Sequence, residues 1–127
     1  MASSEYILPA KCRRIVAIGL LAYSLFIIWV SLRASGTQVQ FAPSDKVLHA
    51  GAYAVLAVGA FLYWPKMAKW KLWLGCMLYG VLMECGQAFL TVSRTASVGD
   101  AVANGLGAAL ALVICSLAAK LWLSRQA

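Results

Sequence analysis

The sequence predicts an all-α integral membrane protein, a four-transmembrane-helix bundle with N and C termini cytoplasmic. Three observations predict it. The 127 residues are 63% hydrophobic and only 12% charged, whereas a soluble domain is about half apolar and a quarter charged. Apolar runs recur at close to the ~20 residues that a helix needs to cross a bilayer. Basic residues gather in alternate connections, as the positive-inside rule requires. Mean hydropathy is +0.81. The length gives one membrane domain, residues 1–127, too small to hold a soluble catalytic module beside its spans.

The first span covers residues 15–32 and follows Lys11, Arg13 and Arg14. Ala34-Ser35-Gly36 after it resembles the cleavage site of a signal peptide. The apolar stretch is too long for a signal-peptide core of ~7–15 residues, so it is expected to remain as a span. The second span, 47–64, has Pro43 just before it and Pro65 at its end. The third, 72–90, is interrupted only by Glu84, and the fourth, 98–119, opens with Asp100 and Asn104. Such spans must be helices packed together, because lipid offers the backbone no hydrogen bonds. The connection 33–45 is longer than the ~2–8 residues usual between helices, and it is expected to cover part of one end of the bundle.

With the N terminus inside, eight basic residues face the cytoplasm: Lys11, Arg13, Arg14, Lys66, Lys69, Lys71, Lys120 and Arg125. Arg33, Lys46 and Arg94 face outward, balanced by Asp45, Glu84 and Asp100. The net charge of +7 is therefore topology and attraction to anionic inner-leaflet lipid, and no nucleic-acid partner is implied. Trp64, Trp70, Trp73 and Trp122 fall near the inner ends of spans, as an interfacial belt does. Cys12, Cys76, Cys85 and Cys115 form no CxxC pair and no metal spacing, and are expected to be reduced packing residues.

The polar residues within the spans carry the functional signal. Asp45, His49 and Tyr53 recur every four residues along one helix face, Glu84 and Gln87 share another, and Asp100 and Asn104 a third. Glu84 and Asn104 each lie about 9 Å below the outer end of their spans, at ~1.5 Å per residue. A carboxylate at that depth costs at least ~2.5 kcal/mol without a partner, and a guanidinium forks onto carboxylates. A network joining Glu84, Gln87, Arg94, Asp100 and Asn104 is therefore expected. Plainer readings stand beside it. Ser44 and Asp45 fit a helix cap, Ser97-x-x-Asp100 fits a capping box, and Asn104 fits interhelical glue. Ala101, Gly105, Gly107, Ala108 and Ala109 suit close helix packing. Gly105 and Ala109 serve either the bundle itself or a homo-oligomer. The carboxylates offer oxygen ligands, but no recognised metal motif is present, and neither a metal nor a cofactor is expected.

The blocks Asp45-Lys46-x-x-His49-x-x-x-Tyr53, Glu84-x-x-Gln87 and Arg94-Thr95-x-Ser97-x-x-Asp100-x-x-x-Asn104-x-x-Gly107 occur in an order that resembles the VanZ-like family of small bacterial membrane proteins. Thr91-Val92-Ser93 stands where many members carry a Pro- or Gly-containing turn. The resemblance implies a multi-pass protein of the bacterial inner (cytoplasmic) membrane. It marks Asp45, Lys46, His49, Tyr53, Glu84, Gln87, Arg94, Asp100 and Asn104 as binding residues. The family's namesake confers low-level resistance to the lipid-tailed glycopeptide teicoplanin.

Three functions compete. The first is an envelope protein, not an enzyme, whose partner is a lipid head group or a lipid-tailed antibiotic in the outer half of the bundle. The second is an enzyme on a lipid phosphate or lipid-linked sugar, with His49 as acid or base, Asp45 orienting it and Glu84 as a second carboxylate. No nucleophile motif supports it. The third is a small proton-coupled exporter, whose essential glutamate belongs in the first span, where this chain has no acid.

Overall fold

The computed structural model describes residues 8–33, 43–90 and 97–125, and among these it contains four α-helices and no strand. They are α1 (Ala10–Arg33), α2 (Pro43–Tyr63), α3 (Lys69–Leu90) and α4 (Val98–Ser124). All four are long and apolar enough to cross a membrane. The shortest, α2, has 21 residues, which at ~1.5 Å per residue matches the ~30 Å of a bilayer's hydrocarbon. Large apolar side chains stand on the outside of every helix, with Phe89 88% exposed. Such a surface is costly in water and is ordinary in lipid.

The helices overrun the apolar runs that announce them. α1 takes in Lys11, Arg13 and Arg14, and α4 continues past Lys120 to Ser124. The backbone ladder does not depend on side-chain hydrophobicity, and long basic side chains can extend towards the interface from inside a helix. α2 likewise begins at Pro43, whose fixed φ and missing N–H suit a first helical position. Ser44 and Asp45 therefore lie inside the first turn and neither occupies the cap position. At the other end of α2, Pro65 follows the last helical residue closely, and the Lys69 ammonium donates to the Pro65 and Met67 carbonyls at 2.8 and 3.2 Å. The same ammonium sits 4.3 Å from the centre of the Phe61 ring, which fixes the α2–α3 turn.

α2 and α4 run parallel and form the centre of the bundle, with pairings that advance together along both: Lys46 with Asp100, His49 with Asn104, Ala50 with Gly107. At Gly107 the helices approach so closely that a methyl group would overlap the Ala50 carbonyl. Ala57 and Ala108 are fully buried beyond that point, within a core of Tyr53, Leu56, Phe61, Leu72, Cys76 and Leu112. Gly105 faces α3, where a side chain would meet Met77 and Trp73, and its carbonyl accepts from the Trp73 indole at 3.0 Å. Its smallness thus serves the internal bundle. α1 lies outermost and is tied on by polar stitches: Tyr23 Oη donates to the Ala52 carbonyl at 3.0 Å and Tyr79 Oη to the Ser24 carbonyl at 2.6 Å. The four cysteines are free. The connection 34–42 and Arg94 lie outside the described residues.

Candidate functional site

The starts of α2 and α4 and the ends of α1 and α3 share one end of the bundle. Each of the two parallel helices carries an aspartate in its first turn, Asp45 and Asp100. The N-terminal helix dipole favours an acid there. Parallel packing brings the two carboxylates together around one side chain, His49. Its Nε2 lies 4.0 Å from Asp45 Oδ1 and 3.7 Å from Asp100 Oδ2. Its Nδ1 faces Asn104 Oδ1 at 3.2 Å. An amide oxygen only accepts, so this contact is a hydrogen bond when Nδ1 carries the proton. Asn104 is almost wholly enclosed, 2% exposed, and so holds the ring firmly. Lys46 completes the group by donating to the other Asp100 oxygen, Oδ1, at 3.2 Å.

Glu84 stands apart from this cluster. Among the described residues no ion pair reaches it. Its Oε2 accepts from the backbone N–H of Ser97 at 3.0 Å. Ser97 is the N-cap of α4, and its hydroxyl accepts from the Asp100 N–H at 3.3 Å. A full capping box would have Asp100 reach back to the Ser97 N–H. Glu84, from α3, occupies that donor instead, and Asp100 turns to Lys46 and His49. The capping-box reading is thus half realised, and Ser97 links Glu84 to Asp100 at the start of α4. Gln87 forms a further branch, donating from Nε2 to the Ser31 carbonyl of α1 at 3.1 Å. The predicted partner Arg94 lies outside the described residues. Sequence reasoning overlooked Ser31 and the Ser97 backbone, because neither is charged and both act through main-chain atoms.

A cavity of about 300 Å³ opens among these groups. Asp45, His49, Tyr53, Glu84, Gln87 and Asn104 line it together with Tyr23, Phe26, Ile27, Val30 and Ser31 of α1, and Leu48, Ala52 and Met83 add apolar surface from α2 and α3. Lys46 and Asp100 are outside its lining. Tyr53 is buried against Tyr79, with ring centres 6.2 Å apart. Gly80 of α3 leaves the space that Tyr53 and Asn104 fill, since an added methyl would lie 3.2 Å from each. The described lining holds two carboxylates and no lysine or arginine, so it can hold a cation or a hydrogen-bonding group while apolar chains rest beside it, and Lys46 is the cation described nearby.

Comparison with curated proteins and with solved structures gave no match. The VanZ/LLP1 family model matches residues 14–119. That stretch contains every block of polar residues described above, and the chain belongs to the VanZ/LLP1 family.

Proposed function

We propose that the chain is a multi-pass protein of the bacterial cytoplasmic membrane that binds an amphiphile in the outer half of the bundle without transforming it. The ligand is a membrane lipid with an anionic head group or a lipid-tailed glycopeptide of the teicoplanin class. The observation that carries this reading is a cavity that brings polar groups from α2, α3 and α4 together with a mostly apolar stretch of α1. At about 300 Å³ it lies at the small end of ligand sites. It suits a head group, with the tails left among lipid along α1. Arg94 would meet phosphate or carboxylate bidentately, and Lys46, which lies outside the lining and pairs with Asp100, would reach the ligand from beside the cavity. Gln87, His49, Tyr53 and Asn104 would supply hydrogen bonds, and Glu84 would hold the start of α4 in place.

The test is native mass spectrometry of the protein released gently from its own membrane, wild type beside Arg94→Ala, Lys46→Ala and Glu84→Gln. A discrete adduct of lipid or glycopeptide mass on the wild type, lost or weakened in the two cation variants, is expected. An adduct retained equally by Arg94→Ala and Lys46→Ala would sink the reading.

A further inference from the structure

We propose that Asp45, His49 and Asp100 form a binding site for one divalent first-row transition cation, of the Mn²⁺ to Zn²⁺ kind. One ligand atom from each residue lies within 4.8 Å of the others. The Nε2 distances of 4.0 and 3.7 Å to the two carboxylates are long for a charge-assisted hydrogen bond, which contracts to about 2.7–2.9 Å. They are close to what an ion needs. Zinc bonds of about 2.0–2.2 Å place tetrahedral ligands roughly 3.3 Å apart. The three atoms would close on a cation by side-chain movements of under about 1 Å on that scale.

A second observation points the same way. A metal-bound imidazole almost always donates its other ring N–H to an oxygen that fixes its tautomer and orientation. His49 Nδ1 faces Asn104 Oδ1 at 3.2 Å, and Asn104 is buried from solvent. With the proton on Nδ1 alone, the Nε2 lone pair is turned towards two carboxylate oxygens, a repulsion that either a proton or a metal cation between them relieves. Lys46 engages Asp100 through Oδ1 alone, which leaves Oδ2 for the ion. Two carboxylates and one imidazole suit manganese, iron or zinc. Calcium prefers six to eight oxygens, and magnesium dehydrates reluctantly. Three protein ligands leave coordination positions open beside the cavity, which Asp45 and His49 also line. The residues come from two helices, with Asp45 and His49 more than fifty positions before Asp100, so no ligand spacing of the usual kind appears in the sequence. The site does not depend on the amphiphile reading.

The experiment uses full-length protein in detergent, carrying no polyhistidine tag, equilibrated with Mn²⁺ or Zn²⁺ and freed of excess metal. Elemental analysis is expected to find one equivalent retained. His49 is the one histidine of the chain. A ¹⁴N-imidazole coupling in the pulsed EPR spectrum of bound Mn²⁺ therefore identifies it, using wild-type protein alone. His49→Gln and Asp100→Asn should each weaken binding at least tenfold. Lys46→Gln should strengthen it several-fold by removing a neighbouring positive charge, the opposite of its expected effect on an anionic amphiphile. Metal that is not retained, that shows no nitrogen coupling, or that is retained equally by His49→Gln overturns the proposal. Lipid mass on the same samples separates the two ideas. Lipid kept with no metal overturns the metal site alone, and metal kept with no lipid upholds it while sinking the amphiphile reading.

Discussion

At the scale of single residues, the buried Glu84 has a partner that a list of charges does not contain. Its carboxylate receives the N–H of Ser97, the donor left over at the first position of another helix. Glutamine keeps an acceptor oxygen at that place, and leucine keeps none. Glu84→Gln should therefore cost little stability, under about 1 kcal/mol, whereas Glu84→Leu leaves a half-buried donor without its acceptor, at about 1–2 kcal/mol. Thermal unfolding in one detergent would compare them, and equal losses would show that the contact with Ser97 contributes nothing. Asn104 makes a different kind of demand, because its oxygen orients His49. If a metal binds, Asn104→Ala should weaken it by roughly 10–100-fold, the usual effect of losing such a support. Metal titration by calorimetry would read it, and an unchanged affinity would exclude that role. The polar residues of the cavity were legible in the sequence because lipid makes them costly. Their partners were less so, since Ser97 and Ser31 act through main-chain groups that every residue possesses.

At the scale of elements, the close parallel contact of α2 and α4 sets the geometry of the site. Asp45 and Asp100 meet His49 only because both helices start at the same end and Gly107 lets α4 touch the Ala50 carbonyl. A backbone carbonyl cannot rotate aside as a side chain does. Gly107→Ala should push the helices apart and cost about 1–3 kcal/mol, the usual penalty for overpacking. Gly75→Ala is the matched control, because a methyl there meets nothing within 4 Å. A Gly107→Ala protein as heat-stable as the control would contradict the packing described. The helices themselves were readable from apolar runs, but their ends were not. Hydrophobicity reports where lipid is, whereas a helix ends where its hydrogen bonds do, and Arg13 and Lys120 remain helical outside the apolar runs. The pairing of α2 with α4 was not readable either. Four spans of similar composition can be arranged in several ways, and the small residues of α4 suit contact with any neighbour.

At the scale of the whole molecule, the two ends of the bundle differ in charge. Eight basic residues belong to the end where α1 begins and α4 finishes, against three at the site end: Arg33, Lys46 and Arg94. Membrane insertion counts lysine and arginine and gives acids little weight, so the balancing effect of Asp45, Glu84 and Asp100 does not offset this bias. The eight-residue end should stay in the cytoplasm, and the cavity should open towards the outer leaflet. Paired fusions test this directly. Alkaline phosphatase, active only after export, and a fluorescent protein that matures in the cytoplasm would each be joined after Ala127 and, in separate chains truncated there, after Gln38. The C-terminal fusions should fluoresce without phosphatase activity, and those at Gln38 should show the reverse. Exported C termini would turn the bundle over and place the Asp45–His49–Asp100 cluster at the cytoplasmic face. An antibiotic arriving from outside would then have no direct path to the cavity, whereas a metal ion supplied from the cytoplasm would. The orientation therefore bears on the amphiphile reading far more than on the cation site.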